Sequence, residues 1–134
     1  MAAWRLAVDR ASRACIRRPR VRSARYVSFL RVAALNDGDA VGEVLQAASA
    51  IAATTVDLDV AATAVEARII DVDLRTVRFR HPLIRSAVAQ SASVGDRLRV
   101  HEALAKVLAD QPDRRAWHRA ALLSGEHEDI APRA

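Results

Sequence analysis

Ile70-Asp71-Val72-Asp73-Leu74-Arg75-Thr76-Val77-Arg78-Phe79-Arg80-His81-Pro82-Leu83-Ile84 is where the architecture of this chain is most plainly written. Ile70 and Val72 alternate with Asp71 and Asp73, and Val77 and Phe79 alternate with Arg78 and Arg80. This period of two marks half-buried strands. A connection from Asp73 to Thr76 predicts a hairpin over 69–80 with Val72 opposite Val77, Asp71 opposite Arg78 and Ile70 opposite Phe79. In that register the apolar pairs share one face and an opposite-charge pair takes the other. The pattern then becomes helical, with Ile84, Ala87, Val88 and Ser91 at i, i+3, i+4 and i+7. Pro82 suits a first helical position, where a missing N–H costs nothing. His81 therefore stands beside the N–H groups that open a helix, a geometry that favours anions such as phosphate.

Upstream, Asn36-Asp37-Gly38-Asp39 is a turn between an apolar segment, Tyr26 to Leu35, and a periodic one, Val41 to Ala52, which Asp39 is placed to cap. After Thr54-Thr55 and Asp57 or Asp59, the residues Leu58, Ala61, Ala62, Val65 and Ile69 form a third helical stripe. Three helices followed by a two-stranded wing make a winged-helix arrangement, an elaboration of the helix-turn-helix. Downstream, Ser93-Val94-Gly95-Asp96 has capping-box spacing, and Val100, Ala103, Leu104, Val107 and Leu108 line the helix it starts. His101 lies at the edge of that stripe and is expected to pack. Pro112-Asp113 begins a last helix in which Trp117, Ala120 and Ala121 share a face, with His118 beside it lacking partners, and which ends near Ser124-Gly125. The expected fold is mainly α. Its parts are a basic, poorly ordered arm over 1–25, a winged-helix-like domain over 26–92, an antiparallel helical pair of α-solenoid type over 93–125, and a polar tail over 126–134.

The chain has 134 residues, 51% of them hydrophobic and only 4% aromatic, which suits packed helices more than a β-sandwich. A net charge of +5 would invite a nucleic-acid role, but its distribution argues otherwise. Eight arginines and one aspartate lie in residues 1–25, leaving thirteen basic and fifteen acidic side chains in 26–134. The foldable part is slightly acidic and lacks a broad footprint for phosphate backbones. The arm's Arg, Ser and Ala content has some likeness to a mitochondrial transit peptide, and Trp4, Val8, Ala11 and Cys15 could form a short basic amphipathic helix; a solvated tail is the preferred reading. No apolar run is long enough to span a bilayer. The lone Cys15 excludes an internal disulfide framework, and the scattered His81, His101, His118 and His127 give no metal-ligand spacing. A cytoplasmic location is expected.

Three segments taken together carry a resemblance. Val77-Arg78-Phe79-Arg80-His81-Pro82-Leu83-Ile84-Arg85-Ser86-Ala87-Val88, Asp96-Arg97-Leu98-Arg99-Val100-His101-Glu102-Ala103-Leu104-Ala105 and Pro112-Asp113-Arg114-Arg115-Ala116-Trp117-His118-Arg119-Ala120-Ala121 resemble, in order and spacing, the middle of the large ATP-binding LuxR-type transcriptional regulators of actinobacteria, members of the STAND class of signalling ATPases. The similarity runs from about Ser28 to about Ile130. It implies the winged-helix unit that follows an ATPase core, then the first helices of a tetratricopeptide-like sensor array. It also implies that His81 matches the histidine that touches the nucleotide's β-phosphate and holds the resting state closed. ATP or ADP would then be the cofactor of a partner ATPase core, with a possible protein partner on helices 93–125.

This sequence has no Gly-x-x-x-x-Gly-Lys-Ser/Thr, its only lysine is Lys106, and it shows no further reader helix-turn-helix. The expectation is a truncated or rearranged member that is not an enzyme by itself, serving as a regulatory segment. The alternative is a free-standing winged-helix DNA-binding protein in which Arg75, Arg78 and Arg80 contact phosphates. Against it stand Asp57, Asp59, Asp71 and Asp73, which would repel the backbone they must approach.

Overall fold

The computed structural model describes residues 23–130. The protein is mainly α, with a two-stranded antiparallel hairpin. Helix α1 spans Ala24–Leu35 and α2 spans Val41–Ala52; a 3-10 turn, Leu58–Ala61, runs into the short α3, Ala62–Glu66. Strands β1, Ile70–Val72, and β2, Val77–Phe79, follow, and then α4, Pro82–Ser91, α5, Val94–Val107, and α6, Pro112–Ile130. Residues 1–22, which include Cys15 and most of the expected basic, poorly ordered arm, and residues 131–134 lie outside the described residues.

The hairpin pairs Ile70 with Phe79, Asp71 with Arg78 and Val72 with Val77, the register that alternation demands. Its turn is closed by one side chain: Asp73 Oδ1 accepts from the N–H groups of Arg75 and Thr76, each at 2.7 Å. Ile70 and Val77 bury their side chains, while Leu74 at the tip is 87% exposed. The loop before α2 adds a third edge to the hairpin. Val77 N–H donates to the Asp39 carbonyl and Val41 N–H to the Arg75 carbonyl, both at 2.9 Å, with Ala40 bridged to Thr76.

One core runs through the helices and the hairpin. Phe29 and Val32 of α1, Val44, Ala47 and Ala48 of α2, Ala64 of α3, Ile69, Ile70 and Leu104 of α5 are essentially without solvent contact. Helix α5 packs on both α2 and α1, so the pair α5–α6 is joined to the hairpin-bearing unit through the same core. Ser23 opens α1 by accepting from Tyr26 N–H at 3.2 Å, so the first helix starts two residues earlier than the apolar pattern suggests. Ser93 opens α5 by accepting from Asp96 N–H at 3.1 Å, and the Asp96 carboxylate is in turn held low by the Ser93 hydroxyl and N–H, which makes the capping box reciprocal.

Four expectations are corrected. Asp39 does not cap α2: the N-cap is Ala40 without a side-chain bond, because Asp39 lends its carbonyl to Val77 and its carboxylate to Arg78. The third helix does not reach Ile69. Asp57 caps only a short turn, and Ile69 and Ile70, at 1% and 0% exposure, are claimed by the core and the strand. Helix α6 continues past Gly125 to Ile130. Its inward face is also different, since Trp117 is 54% exposed while Arg114 and His118 turn inward.

Candidate functional site

At the junction of β2 and α4, His81 is the N-cap of α4, with extended backbone and an exposed ring. Its Nδ1 accepts from Leu83 N–H at 3.1 Å. A ring nitrogen that accepts carries no proton, so the neutral imidazole holds its hydrogen on Nε2, pointing away from the helix. The expectation of free N–H groups beside the histidine is corrected here. Pro82 has none, Leu83 N–H is taken by the ring, and the N–H groups of Ile84 and Arg85 both bond to the His81 carbonyl. The helix N-terminus is filled by its own cap. What the junction offers is a single outward donor.

The wing arginines are divided between partners. Arg78 Nε pairs with Asp39 at 3.0 Å and Arg80 with Asp71 at 3.3 Å, whereas Arg75 has no ion pair among the described residues. These pairs are exposed and individually weak, but they place a carboxylate beside each of two cations that the DNA reading requires. Beside them lies an open groove of about 510 Å³ walled by Asp37, Asp39, Phe79 and Arg85. Arg85 is committed to the backbone: its guanidinium donates to the carbonyls of Ala34, at 2.9 Å, and Asn36. Among the described residues, no group of three or more His, Cys, Asp or Glu is placed to hold a metal ion, and no helix is long and apolar enough to cross a membrane.

A dense polar cluster gathers Asn36 and Asp37 of the turn with residues of α2 and α6. Arg114 of α6 donates to Asp37 Oδ1 and Oδ2 at 2.8 to 3.1 Å and to Glu43 Oε2 and Oε1 at 2.7 and 2.8 Å. It also donates to Asn36 Oδ1 and Gln111 Oε1 at 3.1 and 3.0 Å. Hydrogen bonds from this guanidinium are the main cause that holds the Asp37 and Glu43 carboxyls below their ordinary range, and the two carboxylates raise the Arg114 pKa in return. A planar fork meets two carboxylates at once, a geometry that lysine cannot reproduce.

One helical turn on, His118 has no solvent exposure and is not without partners, contrary to expectation. Its Nε2 lies 3.2 Å from Asp37 Oδ1, and its Nδ1 lies 2.9 Å from Nδ1 of His101 on α5. Because Asp37 is ionised, His118 Nε2 must be the donor to it; His118 Nδ1 then accepts, and His101 Nδ1 donates. Trp117 stands edge-on to both rings, with centroids 4.8 Å from His118 and 5.9 Å from His101. Burial pushes the His101 pKa down to about 4, with the neighbouring His118 adding to the effect, and burial also lowers His118 against the upward pull of Asp37.

Asn36, Asp37, Glu43 and Arg114 were not singled out as site residues by sequence reasoning. The one available signal was the spacing of Gln111, Arg114 and His118, which places Arg114 and His118 on one face of α6 with Gln111 just before its start. Comparison with family models, curated proteins and solved structures found no match to this chain.

Proposed function

We propose that this chain is a non-catalytic regulatory segment of a nucleotide-switched, LuxR-type transcriptional regulator, passing nucleotide state from a partner ATPase core to a helical sensor region. The observation that carries the reading is His81. Its Nδ1 is tied to Leu83 N–H, so its Nε2–H is held outward at the seam between hairpin and helix. A donor fixed this way can report whether an anion is present, and by linkage its one contact also helps to hold the nucleotide. The residues fit one contact to a phosphate oxygen and no more: a cradle of backbone N–H groups is lacking at α4, and ATP or ADP bound in the partner core would supply the charge to be sensed. Arg114 and His118 then join the α5–α6 pair to the turn beside this seam, giving a physical route from one part to the other.

The DNA-binding alternative is the weaker reading, because Arg78 and Arg80 each face a carboxylate and residues 26–134 carry a small net negative charge. The test adds the chain to an ATPase core of that regulator class and follows release of bound ADP. The wild-type chain is expected to slow release and His81→Ala to lose that effect. Equal release with both would sink the assignment. A parallel titration with duplex DNA at low and moderate salt would favour the alternative if binding were tight with a steep salt slope.

A further inference from the structure

The contact between His101 and His118 has a property that follows from counting protons. Two ring nitrogens 2.9 Å apart need one hydrogen between them. In the neutral pair that hydrogen sits on His101 Nδ1 while His118 Nε2–H faces Asp37. Add one proton and the arrangement survives, because His118 becomes the donor on both sides and His101 accepts at Nδ1 while carrying its hydrogen on Nε2. Add a second and both Nδ1 atoms carry hydrogen, so the contact must break and two imidazolium ions stand face to face in a buried space. The charged groups around the pair come from every element packed on it: Asp37 from the α1–α2 turn, Glu43 from α2, Arg97 from α5 and Arg114 from α6. The two carboxylates are already shared with Arg114, and among the described residues the charges acting on the second ring are His118 and Arg97, not an acid.

We propose that the His101–His118–Asp37 chain is a proton-counting latch, which keeps α6 seated on the Asn36–Asp37 turn while the pair carries at most one extra proton and releases it on the second. The proposal does not depend on the nucleotide reading. Its direction follows from linkage: both histidines are depressed when folded, so the released state takes protons first, and seating weakens as pH falls from about 6.5 towards the His101 value of about 4. Helix α5, anchored by Leu104 and Val100 in the main core, stays in place.

The experiment uses the full chain. Imidazole nitrogen NMR at neutral pH is expected to show His118 protonated on Nε2 and His101 on Nδ1; finding both rings in the Nε2–H form would overturn the proposal outright. Amide exchange, expressed as protection factors, is then followed from pH 7 to pH 4. Residues 113–123 are expected to lose protection at least about tenfold, the effect of one pKa unit of differential proton uptake, while α1, α2 and α5 keep theirs. Trp117 fluorescence, read in a Trp4→Phe background, is expected to follow the same transition, since this ring abuts both imidazoles. The deciding variant is His101→Phe, which removes the second charge and leaves His118 free to pair with Asp37. Its α6 is expected to stay seated through the range where the wild type lets go, although Asp37 and Glu43 still titrate. If the variant releases at the same pH as the wild type, carboxylate protonation is the cause and the latch is disproved; should the variant fail to fold, the wild-type tautomers decide.

Discussion

Replacing Arg114 with alanine isolates the contribution of the fork that seats α6. The side chain makes charge-assisted bonds to Asp37 and Glu43 and neutral-acceptor bonds to Asn36 and Gln111, and it is 26% exposed, as is Asp37, with Glu43 at 16%. Removing one partner of a fully buried ion pair costs about 3–5 kcal/mol, because the remaining charge is left uncompensated. Here a fraction of each carboxylate still meets water, so the expected loss is about 2–4 kcal/mol. With a urea slope of about 2 kcal/mol/M for a domain of this size, the midpoint falls by about 1–2 M. Arg114→Lys restores the charge without the fork and is expected to recover about half of the loss. The pH dependence gives a sharper check. Asp37 and Glu43 have depressed folded pKa values, so their stabilisation is present above about pH 4 and is lost as pH falls through those values. The gap between wild type and Arg114→Ala should therefore narrow between pH 5 and pH 3. A neutral-pH difference below about 0.5 kcal/mol, or a gap of the same size at pH 3, would refute the account.

Two smaller perturbations test other joints. Ala53 ends α2 at φ 56°, in the left-handed region where a Cβ is strained, so Ala53→Gly is expected to stabilise by about 0.5–1 kcal/mol in thermal unfolding; a loss of stability would show that the αL cap is not strained. Ser93→Ala removes the hydroxyl that accepts from Asp96 N–H and is expected to cost about 1 kcal/mol, with faster amide exchange confined to the first turn of α5; uniform loss of protection would contradict a local capping role.

The hairpin was legible because three independent patterns agreed: period two on both strands, an acid opposite a base at Asp71 and Arg78, and a turn residue at Asp73. His81 as an N-cap was legible from Pro82 alone, since proline fixes the first helical position. The polar cluster was not. Arg114 and His118 sit on a helix whose Trp117 and alanines make the more apolar face, and periodicity ranks faces by apolar content alone. A helix that buries its charged stripe is invisible to that rule until Asp37 and Glu43, more than seventy residues away, are known to meet it. For the same reason the early end of the third helix was hidden. Leu58 to Ile69 carries a helical stripe, but Arg68 turns into the left-handed region at φ 60° so that Ile70 can pair with Phe79, a demand set by the partner strand.

The end of α1 is completed from far along the chain. Arg85 reaches back 51 residues to the Ala34 carbonyl and on to that of Asn36, bringing a cation to the negative end of the helix dipole. During vectorial synthesis at about 5–20 residues per second, some 3–10 s separate the emergence of Ala34 from that of Arg85. Over that interval the carbonyls of Ala34 and Asn36 are without the guanidinium that caps them in the folded molecule. The closure of this helix end therefore depends on a residue made well after the helix itself, because Ala34 and Asn36 share one partner in Arg85.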